Sequence, residues 1–292
     1  MTAGRSRPPV VILTGFLGAG KTTLLRRALD AGLAARRPAI VINELGEVGL
    51  DGALVASDQP LLSVSEMTGA CVCCAVPTGE LEVAFEALLA YEPGVIVLET
   101  TGAADPWQLE VRLRAAGWFV DAVLTVVDGA ALRDVLGTSE VAVEQVEAAD
   151  VLVVTKAPLD AGTRAVLRAL NADARVVDDT TPWELLFGPA DRDVAERPVH
   201  GHADAPYKAQ TVRLAPVDDL EALAGLLGTD VVRAKGVLVV AGAPVVFQYS
   251  YGRWDMESAP PGLEAGVLTL LGEDPAPAAA RLGASTFAAG AA

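Results

Sequence analysis

The sequence predicts an α/β fold, a mostly parallel sheet with helices packed on it, followed by a small C-terminal α+β domain. Three observations carry this expectation. Short runs of apolar, largely β-branched residues recur without polar alternation, as in strands buried on both faces; helical patterns of about ten residues separate or follow them; and the pattern loosens in a polar, proline-bearing stretch from about residue 188.

Val10–Leu13, bounded by Pro-Pro and Thr-Gly, reads as the first buried strand, and Thr23–Ala35 as the helix after it. Ala39–Ile42 is a second strand that runs into the polar, glycine-bearing stretch NELGEVGLDG. Within Thr78–Ala90, residues Leu81, Phe85, Leu88 and Leu89 fall at helical spacing. Val95–Leu98, Ala122–Val127 and Val151–Val154 are further strands, with helices at about 107–115, 140–148 and 161–170. The first domain so defined spans 8–188; residues 189–208 read as a linker, 209–284 as the second domain, and 285–292 as an Ala/Gly-rich tail. In the second domain strands are expected at Gln210–Leu214, Val231–Val240 and Val245–Tyr251, with a helix at Val217–Leu227 and an apolar run at Gly266–Leu271.

Composition narrows the function. The 292 residues are 52% hydrophobic, enough for a substantial core. Twenty-two basic against 38 acidic residues give a net charge of −16, a field that repels nucleic acid and anionic membranes. An anionic ligand must then be held by local cations and backbone N–H groups. No run reaches the ~20 apolar residues of a membrane helix, and the opening MTAGRSRPP holds no apolar segment of a secretory signal. A cytoplasmic protein is expected.

Gly15-Phe16-Leu17-Gly18-Ala19-Gly20-Lys21-Thr22 fits G-x-x-x-x-G-K-[ST] between a strand and a helix, the context of a P-loop. There the backbone N–H groups of Gly15, Gly18, Ala19 and Gly20 curl around phosphate oxygens, and the helix N-terminus adds a favourable dipole. Lys21 neutralises β/γ-phosphate charge, the Thr22 hydroxyl ligates Mg²⁺, and Thr23 follows on the same turn. Catalysis also needs an acid at the end of a neighbouring strand. Glu99 stands there, followed by Thr100-Thr101-Gly102, whose glycine lets the backbone approach the γ-phosphate. Glu44 and Glu47, after the second strand, are candidates to position water or bind metal, or else surface charges.

All three cysteines lie in Cys71-Val72-Cys73-Cys74. A disulfide framework would spread them in pairs, so these read as reduced thiols. Three thiolates plus one N or O donor make a tetrahedral site for Zn²⁺ or another soft or borderline ion. The alternatives are a packed segment of inert thiols or a redox role. His200 and His202, the only histidines, lie in the linker and read as solvated.

The P-loop, the strand-end Glu and the thiolate cluster between them resemble the CobW-like metallochaperone GTPases, kin of the nickel-delivery GTPases of urease and hydrogenase. The matching stretches are GFLGAGKTTLL (15–25), VINELGEVGLD (41–51), CVCC (71–74) and VLETTGAADP (97–106); RAKGVLVV (233–240), with Gln248 beyond it, resembles the smaller second domain of that family. The resemblance implies Mg·GTP at residues 15–23 with Thr22 and Glu99 at the Mg²⁺. It implies a transported metal, commonly Zn²⁺ and in some members Co²⁺, on Cys71, Cys73, Cys74 and Glu47. It also implies release to a client metalloprotein on hydrolysis, and a possible homodimer. The guanine-reading motif of that family is [NST]-K-x-D. Here Thr155 and Lys156 fit, but Pro158 replaces the aspartate; Asp160, two residues on, would compensate only if the loop bends. Guanine recognition is therefore weakened while triphosphate binding is not. Two other classes compete: a P-loop small-molecule kinase, which lacks a recognisable lid here and leaves the cysteines unexplained, and a degenerate nucleotide-binding partner protein.

Overall fold

Five consecutive apolar or β-branched residues form β1 (Val10–Thr14), every one of them buried, because this strand lies in the middle of a sheet covered on both faces. The computed structural model describes residues 7–44, 63–68, 80–187, 208–231, 233–250, 252–259, 263, 265–272 and 274–284. The other strands of the first sheet are β2 (Pro38–Glu44), β3 (Ser63–Thr68), β4 (Val95–Glu99), β5 (Val120–Asp128), β6 (Val151–Thr155) and β7 (Arg175–Asp178). They lie in the order β3-β2-β4-β1-β5-β6-β7, and every neighbouring pair is parallel. The parallel sheet expected from the continuous apolar runs is present. The strand-end acid Glu99 and the glycine-rich loop sit side by side, because β1 and β4 are neighbours with Leu13 opposite Glu99.

The helices of this unit are α1 (Lys21–Ala31), α2 (Glu80–Leu88), α3 (Pro106–Ala115), α4 (Leu132–Thr138), α5 (Glu140–Glu147), α6 (Ala161–Leu170) and α7 (Trp183–Phe187). Strand periodicity sorts the core into two layers. Val11 and Leu13 pack with Leu24, Leu25 and Phe187 on one face, and Val10 and Ile12 pack with Phe85, Leu109 and Trp118 on the other. β1 has β4 on one side and β5 on the other. The chain thus leaves β1 at a topological switch point, where a cleft opens beyond the carboxyl ends of the strands.

The second sheet consists of β8 (Lys208–Arg213), β9 (Arg233–Val240), β10 (Ala243–Ser250), β11 (Arg253–Ser258) and β12 (Val267–Gly272), in the order β11-β10-β9-β12-β8 and antiparallel throughout. Helices α8 (Leu220–Leu227) and α9 (Ala276–Ala284) cover one face. Leu223, Leu227 and Leu282 there bury Ala234, Leu238, Phe247 and Leu268. The α+β character expected of residues 209–284 is what the chain adopts. The linker with His200 and His202, the tail after 284, and Glu47, Cys71, Cys73 and Cys74 lie outside the described residues. No helix among the described residues is long and apolar enough to cross a membrane.

Candidate nucleotide site

The loop between β1 and α1 is held where its backbone can surround an anion. Gly15 has φ +135°, and a Cβ on it would stand 2.2 Å from the Val126 carbonyl oxygen, so only glycine fits against β5. Lys21 opens α1 and is buried, and its Nζ donates to the Gly15 carbonyl oxygen at 2.7 Å. The ammonium is thus folded back over the loop it belongs to, at the position from which it meets phosphate oxygens.

Thr22, on the same first turn, donates from Oγ1 to Glu99 Oε1 at 2.6 Å. Glu99 is 3% exposed. Burial pushes its carboxyl above the usual range, opposed by the charge of Lys21, the Thr22 hydrogen bond and the more remote Arg233 guanidinium. Its second oxygen, Oε2, is buried and has no hydrogen-bond partner among the described residues. A buried carboxylate oxygen in that condition is costly, and a hydroxyl and a carboxylate side by side are hard oxygen donors suited to Mg²⁺ or its water. The donor set therefore fits the ion that the motif implies.

The segment after β4 is pinned on the same loop. The Thr100 N–H bonds the Leu13 carbonyl, and Thr100 Oγ1 donates to Thr14 Oγ1 at 2.9 Å. A Cβ on Gly102 would lie 2.6 Å from the Leu17 backbone nitrogen, so this glycine is required by close approach to the P-loop. Gln145, buried on α5, donates from Nε2 to the carbonyls of Gly102 (3.2 Å) and Ala104 (2.9 Å).

From the other side, Thr155 Oγ1 donates to the Ala19 carbonyl at 2.7 Å, and Lys156 Nζ donates to the Gly18 carbonyl at 2.6 Å while standing 3.4 Å from Asp128. The structure thus brings Gly15–Thr23, Glu99, Gly102, Thr155 and Lys156 together. Glu44 ends β2, two residues beyond Ile42, the register partner of Glu99. It pairs in register with Thr68, three residues before Cys71 in the sequence. Among the described residues no three His, Cys, Asp or Glu side chains group as a metal site. Asp160, two residues beyond Pro158, has a structural partner of its own. It caps α6, accepting from the Thr163 N–H at 2.7 Å, and that bond holds its carboxyl below the usual aspartate range.

The site also contains residues that motif reading does not reach. The cavity, about 460 Å³, runs over the P-loop and is also lined by Arg233, Lys235, Gln248 and Asp255 of the second sheet. Its size is ordinary for a small-molecule site. The sequence signal that could have found Arg233 and Lys235 is their alternation at the start of the apolar run RAKGVLVV, which places both charges on one face of the strand.

Residues 9–183 match the family described as "CobW/HypB/UreG, nucleotide-binding domain". A protein named zinc chaperone CobW, from Pseudomonas aeruginosa, is 33% identical over an alignment covering 81% of this chain and 78% of its own length. Zinc chaperone YeiR of Escherichia coli is 36% identical over 50% of this chain and 45% of its own length. Among solved structures, zinc-bound YjiA GTPase from Escherichia coli aligns over 92% of this chain and 95% of its own at 22% identity, with a TM-score of 0.43.

Proposed function

The chain belongs to the CobW/HypB/UreG family, and from that premise we propose that it is a nucleotide-dependent metallochaperone: it binds a transition metal, Zn²⁺ in the first instance, and couples Mg·GTP binding and hydrolysis to transfer of that metal to a client metalloprotein. The observation that carries the nucleotide half is the buried Thr22–Glu99 pair beside Lys21, with one Glu99 oxygen unsatisfied among the described residues. Thr22 and Glu99 would hold Mg²⁺, which when bound neutralises charge developing on the β- and γ-phosphate oxygens. Gly15–Thr23 cradle the phosphates through backbone N–H groups, Lys21 screens the transferred group, and Glu44 orients the attacking water. The water oxygen bonds to the γ-phosphorus as its bond to the β,γ-bridging oxygen breaks; that oxygen leaves on the β-phosphate of the nucleoside diphosphate, one water proton stays on the inorganic phosphate and the other passes to solvent.

The cargo half rests on Cys71, Cys73 and Cys74, with Glu47 as the fourth donor, and on the names of the chaperone relatives. Thiolates favour Zn²⁺ or Co²⁺ over Mg²⁺, so the two metals are kept apart by donor chemistry. The cysteine run follows β3 in the sequence, and β3 pairs with the strand that ends at Glu44. Ordering of these loops by the γ-phosphate, and their release on hydrolysis, would supply the switch. Such thiols need the reducing cytoplasm.

The test is a Zn²⁺ competition titration against a chromophoric chelator, with and without Mg²⁺ and a non-hydrolysable GTP analogue. Zinc affinity is expected to tighten about tenfold with nucleotide, a coupling of ~1.4 kcal/mol, and the triple variant Cys71→Ser, Cys73→Ser, Cys74→Ser is expected to lose the tight site. Tight zinc indifferent to nucleotide would make the cluster structural and end the metallochaperone reading.

A further inference from the structure

The exposed face of the second sheet is assembled by register, and it is polar where it meets the first unit. On β9, Ala234 and Leu238 point into the core under α8 and α9, so Arg233 and Lys235 point the opposite way. Cross-strand pairing sets Lys235 beside Gln248 of β10, Gln248 beside Asp255 of β11, and Lys235 beside Thr269 of β12. This row lies against the nucleotide cavity, where Arg233 and Lys235 are two of the five lysines and arginines that line it. Lys235 is 7% exposed, which is rare for a lysine. Two of the contacts that join the second sheet to the first unit lie here: Leu271, the register partner of Arg233, packs in one cluster with Phe16 and Leu17 of the P-loop, and Glu257 on β11 meets Arg26 of α1 at 3.4 Å.

We infer that Arg233 binds the terminal phosphate of the nucleotide from the second domain of the same chain, with Lys235 as a second cation on the polyphosphate, so that the pocket is a two-domain site that distinguishes triphosphate from diphosphate. The inference deepens the proposed nucleotide site and rests on the P-loop reading. Arg233 and Glu99 line the same cavity, and Glu99 with Thr22 marks the Mg²⁺ end of the cradle. A guanidinium there offers a planar fork of donors matched to phosphate oxygens, and a cation supplied in cis at that end is a recognised means of stabilising charge on a transferring γ-phosphoryl group. In a chain of net charge −16, a polyphosphate needs such local charge.

The experiment is fluorescence titration of the full chain with mant-GTP and with mant-GDP, both with Mg²⁺. The parent is compared with Lys21→Ala, Arg233→Ala, Arg233→Lys and Lys235→Gln, each checked by thermal melting. Arg233→Ala is expected to weaken mant-GTP by about tenfold or more and mant-GDP by less than about threefold. Arg233→Lys, which keeps the charge and loses the fork, should recover part of the mant-GTP loss. Lys235→Gln should weaken both nucleotides, and Lys21→Ala should lose both. Unchanged mant-GTP affinity in Arg233→Ala, or equal loss for the two nucleotides, overturns the inference while Lys21→Ala still shows the P-loop at work. Parent-like binding by Lys21→Ala would instead remove the P-loop reading itself. Should Arg233→Ala fail to fold, the ratio of mant-GTP to mant-GDP loss in Arg233→Lys decides, and no difference between the two counts against the inference.

Discussion

At the scale of single residues, the loop after β6 shows how one substitution redistributes work. Thr155 and Lys156 serve the P-loop through the Ala19 and Gly18 carbonyls, which is independent of which base is bound. The carboxylate expected two residues after Lys156 is replaced by Pro158, and the next acid, Asp160, is engaged as the cap of α6. Pro158 has no side-chain acceptor pair to offer guanine N1–H and the 2-amino group together. Restoring one should restore discrimination, because a buried polar contact made to one base and denied to the other separates them far more than shape does. Pro158→Asp is expected to raise the ratio of GTP to ATP affinity by about tenfold or more, ~1.4 kcal/mol, as read by competition of the two unlabelled nucleotides against a labelled one. An unchanged ratio would mean that the base is recognised elsewhere in the cavity. The same loop shows what pattern reading supplies: residue types and their order announced the phosphate site, and the place of Asp160 directly before the helix predicted at 161–170 is the pattern of the cap it forms.

At the scale of elements, burial decided what was legible. The central strands β1, β4, β5 and β6 carry uninterrupted apolar runs because both their faces are covered, and those runs stand out in the sequence. Strands β3, β7 and β11, which no apolar run announced, are all sheet edges. SVSEMT and RWDMES are polar or mixed, and RVVD is only four residues. Helix α1 ends at Ala31 and gives way to a short 3₁₀ turn at Leu33–Arg36, although the apolar pattern runs on to Ala35, because periodicity does not register the change of helix type at Gly32. Helix α2 was legible for the opposite reason: Leu81, Phe85 and Leu88 make one apolar stripe and all three are buried. Phe85 meets Trp118 edge-on with ring centroids 5.0 Å apart. Removing that ring opens a cavity in the layer between α2, α3 and the sheet, so Phe85→Ala is expected to cost about 3–5 kcal/mol, measured by chemical denaturation. A loss under about 1 kcal/mol would show that the stripe does not anchor the helix.

At the scale of the whole molecule, the two sheets meet at the nucleotide cavity, and the described contacts between them include an apolar cluster and a partly solvated ion pair. Leu271 packs on Phe16 and Leu17, whereas the Arg26–Glu257 pair is partly solvated and worth little by itself. Interfaces between domains of one chain commonly permit relative motion. A ligand gripped from both sides would restrict that motion, since binding energy that requires both sheets in place stabilises their association by mass action. The expected consequence is local. In the parent chain, Mg²⁺ with a non-hydrolysable GTP analogue should slow hydrogen exchange of the β9 amides near Arg233 and Lys235 as well as those of the P-loop. Leu271→Asp places a carboxylate against Phe16 and Leu17 and beside the phosphate site, which penalises docking both by desolvation and by like charge. In that variant nucleotide should still protect the P-loop, with weakened affinity, while protection of β9 falls towards that of the nucleotide-free chain. If β9 stayed as protected as in the parent, the second sheet would be held in place by something other than the nucleotide, and discrimination of triphosphate from diphosphate would have to be confined to the first sheet and its loops.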